Sequence, residues 1–205
     1  MKDTPSGQTR IQRDKIAAIS DAALEVFSTH GFRGSTVDQI ARAAKLSKPN
    51  LLYYFPSKEA IHTYLLENLM DIWLDPLRQI DPEGDPLDEI LTYVRRKLVM
   101  SRDMPRESRL FANEVIQGAK HMGPGLETVL KPLVDEQAEV IQGWMDQGKL
   151  KPADPHHLIF SIWSLTQHYA DFDVQVRTVL GERGKNPFPE AEAYLVTLFT
   201  RMLAP

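Results

Sequence analysis

A short segment near residue 50 places an amine, an amide and two phenols within seven residues: Lys48, Asn50, Tyr53 and Tyr54. Lysine and tyrosine can reach phosphate oxygens, and asparagine can pair with the edge of an adenine. If the segment is a helix, its apolar residues point inward and these four side chains share an exposed turn. The pattern indicates contact with nucleic acid. A solvated helix with two half-buried tyrosines is the alternative that composition leaves open.

The residues around this segment carry the start and stop signals of a helix-turn-helix. Thr36 precedes an apolar helical pattern and has a glutamine three residues on, which is the spacing of a capping box. Ser47 can cap a second, short helix, whose first turn tolerates Pro49. Pro56 ends that helix, and Ser57 can cap a third. Two short helices joined by a tight turn are typical of a DNA-binding module.

This stretch resembles the DNA-binding domain of the TetR family of one-component repressors. The resemblance covers residues 16–60 and is carried by T-V-x-x-I-A and Y-Y-F-x-S-K-E-A, in that order and spacing. It implies an all-α protein that binds double-stranded operator DNA, with Lys58 against a phosphate. Many relatives have tyrosine where this chain has Leu52, so we assign no phosphate contact there. The predicted DNA-contacting residues are Arg10, Arg13, Thr36, Ser47, Lys48, Pro49, Asn50, Tyr53, Tyr54 and Lys58.

Charge is distributed unevenly along the chain. Residues 1–60 carry a net charge of +3 and the remainder carries −7, within a total of −4. A basic module on an acidic body places a polyanionic partner at the N-terminal end. Residues 1–10 are predicted to be a mobile arm, from which Arg10 and Arg13 could reach the DNA backbone or minor groove. An ordinary polar terminus is the alternative.

Length and composition are those of an ordinary globular protein of one or two domains. The 205 residues include no cysteine, which excludes a disulfide framework, a thiol nucleophile and a cysteine-based metal site. No apolar run approaches the length of a membrane span, and the N-terminus lacks the apolar core of a signal peptide. We expect a cytoplasmic protein and predict no cofactor and no metal site.

Helical patterns cover most of the chain, and no stretch alternates like a strand. We predict an all-α fold of about nine helices, with a DNA-binding domain at residues 1–56 and a ligand-binding and dimerisation domain at 57–205. The helix at 57–77 starts in the first domain and ends in the second, so its tilt could couple them. After the DNA-binding module, the predicted helices cover residues 57–77, 87–102, 107–118, 124–148, 155–180 and 187–203.

The last two predicted helices differ in kind from the others. Residues 155–180 are apolar nearly all round, and residues 187–203 carry a broad apolar stripe. A chain of this size has limited interior for both helices. A two-fold homodimer with a four-helix interface accounts for both patterns. A monomer with both helices in its core is the alternative.

Three segments of the body, at 69–77, 109–117 and 161–172, place polar groups in apolar settings. In the third, Trp163 and Gln167 lie one helical turn apart. An aromatic plane beside an amide suits a flat heterocycle. Alternatively, Trp163 belongs to the core and Gln167 bonds a neighbouring carbonyl. The predicted ligand-binding residues are Trp73, Leu77, Asn113, Trp163 and Gln167.

The body also resembles members of the same family that respond to pyrimidines. The resemblance is carried by W-L-D-P-L, S-R-L-F-x-x-E, G-W-x-x-x-G-K-L and H-L-I-F-x-I-W-x-x-T-Q-H-Y-A-D-F. It implies a small-molecule effector such as uracil or thymine, which stacks on Trp73 or Trp163, bonds Gln167 through its imide edge and releases the protein from DNA. A TetR-type repressor that responds to an unrelated small hydrophobic effector is the alternative.

An enzyme is the rival functional class. His156, His157 and His168 lie near Asp154 and Asp171, so a metal or an acid–base pair is conceivable. The chain has no catalytic-triad order, metalloprotease motif, phosphate-binding glycine loop or dinucleotide fingerprint. We therefore expect a homodimeric transcriptional repressor rather than an enzyme.

Overall fold

The computed structural model describes residues 9–205, which form ten α-helices and no strand. The prediction of an all-α fold is confirmed. A π-helical turn at Leu126–Leu130 precedes the seventh helix, and a 3-10 turn at Gly181–Lys185 follows the ninth. The helices are α1 (Arg10–Gly34), α2 (Val37–Ala43), α3 (Lys48–Tyr54), α4 (Lys58–Arg78), α5 (Pro86–Asp103), α6 (Pro105–Ile116), α7 (Lys131–Asp146), α8 (Pro155–Asp171), α9 (Asp173–Leu180) and α10 (Phe188–Leu203).

Ten helices form rather than about nine because the long penultimate helix of the prediction is divided into α8 and α9. Contacts from α6 coincide with the division. Ser108 Oγ donates to Asp171 Oδ1 at 2.6 Å, and Arg109 Nη1 donates to the carbonyl oxygen of Ala170 at 3.3 Å. A carbonyl that accepts from Arg109 is less available to the helical ladder. The apolar pattern continues through this point, so the sequence carries no signal for the break.

Helix α1 begins with a capping box formed by Thr9 and Gln12. Arg10 is therefore the first helical residue and not part of a loose arm, while residues 1–8 of the predicted arm lie outside the described residues. Near its end the helix bends at Gly31, whose φ of 67° is a conformation that glycine adopts without strain. The bend directs the chain toward α2.

Helix α4 contributes to two hydrophobic cores. The first core joins α1–α4 and also takes Leu110 of α6 and Met122 of the following loop. The second core lies among α5, α7, α8 and α10. Leu69 of α4 belongs to the first core, whereas Leu77 belongs to the second. One rigid helix therefore touches both parts of the molecule, and it continues past Pro76 to Arg78.

Candidate DNA-binding surface and ligand cavity

Side-chain hydroxyls start both helices of the helix-turn-helix. Thr36 Oγ1 accepts from the backbone N–H of Gln39 at 3.2 Å, and Gln39 Oε1 accepts from the N–H of Thr36 at 2.8 Å. Ser47 Oγ accepts from the N–H of Asn50 at 3.4 Å, and Pro49 lies in the first turn of α3. The predicted caps are confirmed. Contact between these residues and DNA stays a prediction.

The turn between α2 and α3 is closed by two backbone hydrogen bonds. The N–H of Leu46 donates to the carbonyl of Ala41 at 2.9 Å, and the N–H of Lys45 donates to that of Arg42 at 3.1 Å. Lys45 has a φ of 56°, and this left-handed residue with its two bonds forms a Schellman motif. The closure fixes the angle at which α3 leaves α2.

Helix α3 presents its polar residues to solvent. Leu51 is fully buried beneath it, whereas Lys48 and Asn50 are exposed and the Tyr53 side chain is 75% exposed. Tyr54 is partly buried, with its ring edge-on to Tyr53 at 5.1 Å between centroids. The four polar residues singled out in the sequence therefore lie on one short helix, and three of them are open to an approaching duplex.

Lys48 is paired within the helix-turn-helix. Its Nζ lies 2.8 Å from Oδ2 of Asp38 on α2, and both side chains are about half exposed. Exposed ion pairs contribute between zero and about 1 kcal/mol, because water and salt screen them. The amine can therefore exchange Asp38 for a phosphate at little cost.

Lys58 has a different environment from the other predicted contacts. Its Nζ donates to the carbonyl oxygens of Phe32 at 2.7 Å and Ser35 at 2.8 Å, and it lies 4.3 Å from the centre of the Phe32 ring. Carbonyls in the last turn and at the C-cap of a helix lack helical partners, and a cation stabilises them. Lys58 thus fastens the end of α1 to the start of α4. Arg10 and Arg13 are both exposed in the first turns of α1.

A small enclosed cavity lies among α4, α5, α6, α8 and the π-helical turn. Its volume is about 60 Å³. One water molecule needs roughly 10–15 Å³, so the cavity has room for more than one. Three predicted ligand-binding residues, Trp73, Trp163 and Gln167, come together in its wall. The lining residues are Met70, Trp73, Leu74, Lys97, Phe111, Leu126, Leu130, Trp163 and Gln167.

Two other predicted ligand-binding residues do not line this cavity. Leu77 is fully buried in the second core, near the C-terminal end of α4. Met70, two turns earlier on the same helix, belongs to the first core. Asn113 lies on the exposed face of α6, while Phe111 of the same helix reaches the cavity. The sequence correctly put both residues on helices that border the cavity. Packing between helices decided which face of each helix turns toward it.

The wall of the cavity is largely apolar, and a few polar groups lie in or beside it. Lys97 is 1% exposed, and its Nζ lies 4.6 Å from the centre of the Trp73 ring and 3.4 Å from the Trp73 carbonyl oxygen. Burial lowers the pKa of Lys97 to about 7. Trp163 Nε1 donates to Tyr93 Oη at 2.6 Å, whereas Trp73 Nε1 is buried and has no hydrogen-bond partner among residues 9–205. Buried donors are rarely left unpaired.

Lys97 is the cavity residue that sequence reasoning missed. It sits within R-R-K-L, which looks like part of a solvated helical face. A signal was present, because Lys97 follows Tyr93 by four residues and Val94 by three, and both are core positions of α5. A lysine on the apolar stripe of a helix is a candidate for a buried amine.

Comparison with known proteins accounts for both halves of the chain. Residues 19–64 match the family model described as bacterial regulatory proteins, tetR family, and residues 66–205 match that of the C-terminal region of YcdC-like protein. The chain belongs to the TetR family. The HTH-type transcriptional regulator RutR of Escherichia coli strain K12 is 49% identical over 178 residues, which cover 87% of this chain and 84% of that protein.

Solved structures show the TetR-family fold at lower identity. AibR in complex with isovaleryl coenzyme A and operator DNA has a TM-score of 0.73 at 18% identity, over 90% of this chain and 97% of that one. A tetR-family regulatory protein from Rhodococcus RHA1 has a TM-score of 0.75 at 19% identity, over 96% and 98%. These similarities concern the fold.

Large apolar side chains remain exposed on the last three helices of this TetR-family chain. Phe160 and Phe172 contact aromatic side chains of α8, yet each stays about half exposed. No helix among residues 9–205 is long and apolar enough to cross a membrane. The exposed apolar residues of α8, α10 and the segment between them are Phe160, Phe172, Val174, Val179, Tyr194 and Met202.

Proposed function

We propose that this chain is a homodimeric, ligand-responsive repressor that binds near-palindromic operator DNA and leaves it when a pyrimidine such as uracil or thymine enters the internal cavity. Membership of a family of transcriptional regulators supports this function over an enzymatic one. The observation that carries the proposal is the meeting of Trp73, Trp163 and Gln167 in one enclosed cavity. Such a regulator would act in the cytoplasm, where its operator is.

Residues 1–56 would form the DNA-binding domain and residues 57–205 the ligand-binding and dimerisation domain. Helix α3 would enter the major groove, where Asn50 can read a base edge and Lys48 and Tyr53 can bond phosphates. Their exposure supports this assignment. Arg10 and Arg13, exposed at the start of α1, would add contacts to the DNA backbone.

The polar groups of the cavity fit a pyrimidine dione. Its flat ring can stack on an indole, and its imide edge offers an N–H between two carbonyls. The Gln167 amide can accept from that N–H and donate to one carbonyl. The Lys97 amine can donate to the other. An unrelated small hydrophobic effector, the alternative, would offer no further acceptor to the Lys97 amine and no partner to the Gln167 amide.

Dimerisation would cover the apolar surface of α8–α10. Tyr194 is 60% exposed and Phe172 is 55% exposed in the single chain. Exposed apolar surface is typical of an interaction site, and a two-fold axis lets the same surface of two copies cover itself. The symmetry would present two copies of α3 to the DNA, which demands a near-palindromic operator.

Helix α4 is suited to couple the two sites. Met70, Trp73 and Leu74 line the cavity, while the first turns of the same helix pack against α1. A ligand that changes the tilt of α4 would change the spacing of the two α3 helices. The ligand shifts the equilibrium only as far as its affinity differs between the two arrangements.

The test begins with selection of binding sites from random-sequence duplex DNA. The expected result is a near-palindromic motif. The selected duplex is then used in mobility-shift titrations at fixed salt with uracil, thymine, cytosine or an unrelated planar acid. Release by uracil or thymine alone supports the proposal. If none of the pyrimidines releases the DNA, the proposed pyrimidine effector is wrong. If no sequence motif is enriched, the proposed repressor function is wrong.

A further inference from the structure

Three side chains with metal-binding chemistry meet where the helix-turn-helix module joins the body. They are His62 of α4, Glu114 of α6 and His121 of the loop after α6, and a ligand atom from each lies within 4.8 Å of the others. Glu114 Oε1 accepts from the backbone N–H of His121 at 2.7 Å. The His121 Nδ1 lies 3.2 Å from both carboxylate oxygens. His62 precedes Glu114 by 52 residues and His121 by 59 residues, so only the fold brings His62 to the other two side chains.

His62 brings a second, independent observation. Its side chain is almost fully buried, and Nδ1 has no hydrogen-bond partner in the part of the chain that the structure describes. This nitrogen lies 3.9 Å from Oε2 of the buried Glu114, which is too far for a hydrogen bond. Two polar groups thus face each other in an apolar setting with a gap between them. Such an arrangement is costly unless something fills the gap.

The walls of the cluster hold the two imidazoles in place. The ring of Phe32 lies 4.7 Å from that of His62 and 4.3 Å from that of His121, between centroids. Phe27 meets His62 edge-on at 4.9 Å. Lys58 and Glu59 are other charged residues whose electrostatic influence reaches His62, and Lys58 is engaged by the end of α1. The side chain of His121 is about one-quarter exposed, which leaves a route from solvent.

We infer that His62, Glu114 and His121 bind a divalent transition-metal ion such as Zn²⁺. Two imidazole nitrogens and a carboxylate are a set that zinc accepts, and three protein ligands leave a fourth position for water. Ligand atoms around tetrahedral zinc lie roughly 3.4 Å apart when the bonds are about 2.0–2.1 Å. His121 and Glu114 already meet this spacing. His62 needs to approach Glu114 by roughly half an ångström.

A metal at this position would tie α4 to α6. Helix α4 carries the start of the body, and its first turn is fastened to the end of α1 by Lys58. The ion would therefore bridge the DNA-binding module and the body at the helix proposed to couple them. The binding site itself does not depend on that proposal, because it rests on the cluster geometry alone.

The test is a Co²⁺ and Zn²⁺ titration of the full-length protein after dialysis against a chelator. We expect one Co²⁺ per chain, with the visible absorption bands of a four- or five-coordinate site, and displacement of those bands by Zn²⁺. His121→Gln and Glu114→Gln should weaken binding at least about tenfold. His156→Gln removes a half-exposed histidine that pairs with Asp135 outside the cluster, and it should bind as the wild type does.

Thermal unfolding with and without Zn²⁺ provides a second readout. The ion should raise the unfolding temperature of the wild type and of His156→Gln, but not that of His121→Gln. If Glu114→Gln does not fold, His121→Gln provides the test, because His121 is the more exposed of the two residues. Absence of the absorption bands in the wild type would overturn the inference. Equal binding by His121→Gln and the wild type would also overturn it, because the ion would then lie elsewhere.

Discussion

The amine of Lys97 lies 4.6 Å from the centre of the Trp73 ring, inside the body of the protein and beside its enclosed cavity. Burial lowers the pKa of this amine to about 7, whereas a lysine in an unfolded chain has a pKa of about 10.4. Between these values the unfolded chain binds more protons than the folded one. The free energy of unfolding contributed by this residue therefore rises as the pH increases from about 7 to about 10.

Lys97→Met should remove this pH dependence. The substitution keeps an unbranched apolar stem and removes the buried charge, so the unfolding temperature should rise at pH 7 and its increase toward pH 10 should become smaller. Thermal unfolding followed by circular dichroism across this pH range provides the measurement. Lys149→Met, at an exposed position, is the control and should follow the wild type. If the unfolding temperatures of the wild type and Lys97→Met change with pH in parallel, the amine is charged and solvated in the folded protein.

Gln167→Leu should strongly reduce the response to uracil. The substitution preserves the approximate size of the side chain and removes an amide from the cavity wall, which should weaken effector binding about tenfold or more. A thermal-shift titration with uracil and thymine measures the loss. Gln142→Leu, on the exposed face of α7, is the matched control and should respond like the wild type. Operator binding without effector should be unchanged in both variants, and an intact uracil response in Gln167→Leu would remove this residue from the site.

Asp38→Ala and Lys48→Ala should change DNA affinity in opposite directions. Removing Asp38 releases the Lys48 amine from its 2.8 Å partner and leaves it for a phosphate, whereas removing Lys48 deletes the contact. For Lys48→Ala the slope of log affinity against log salt should become shallower by about one unit. Mobility-shift titrations at several salt concentrations measure both effects. Lys149→Ala, the control, removes the same charge from the body. If it lowers DNA affinity as much as Lys48→Ala does, the effect comes from net charge and not from a phosphate contact.

Lys58→Met should weaken the module without changing the salt dependence of DNA binding. The amine donates two hydrogen bonds to the end of α1, and a hydrogen bond that involves a charged group makes a net contribution of about 1.5–3 kcal/mol. We expect a loss of about 1–3 kcal/mol in the free energy of unfolding, measured by urea titration. A salt slope reduced by about one unit, with stability unchanged, would instead favour the phosphate contact that the family resemblance implies.

Tyr194→Asp should convert the dimer to monomers. This side chain is 60% exposed on α10, and a carboxylate in a two-fold interface would meet its own copy or be buried without a partner. Size-exclusion chromatography with light scattering gives the mass. Ile116→Asp is the control, because Ile116 is 81% exposed on α6 and equally apolar. A Tyr194→Asp variant that remains a dimer would place the interface away from α10.

Local signals in the sequence were sufficient for the helix-turn-helix. Thr36, Ser47 and Ser57 each cap a helix through atoms only three residues away, so their roles follow from short-range geometry. The proline and glycine breaks likewise placed most helix ends within a few residues. The all-α fold follows from the same periodic patterns, which do not depend on how the helices are arranged.

What the sequence alone determined was therefore the helices, their caps and the exposed residues of α3. Tertiary packing decided everything that depends on residues distant along the chain. It buried Lys97 against Trp73 and turned Asn113 away from the cavity, and a contact from Arg109 coincides with the break between α8 and α9. It also assembled His62, Glu114 and His121, which no spacing motif connects. The physical reason is that caps and periodicity are short-range, whereas the identity of a helix face and the partners of a buried polar group are set by contact between helices.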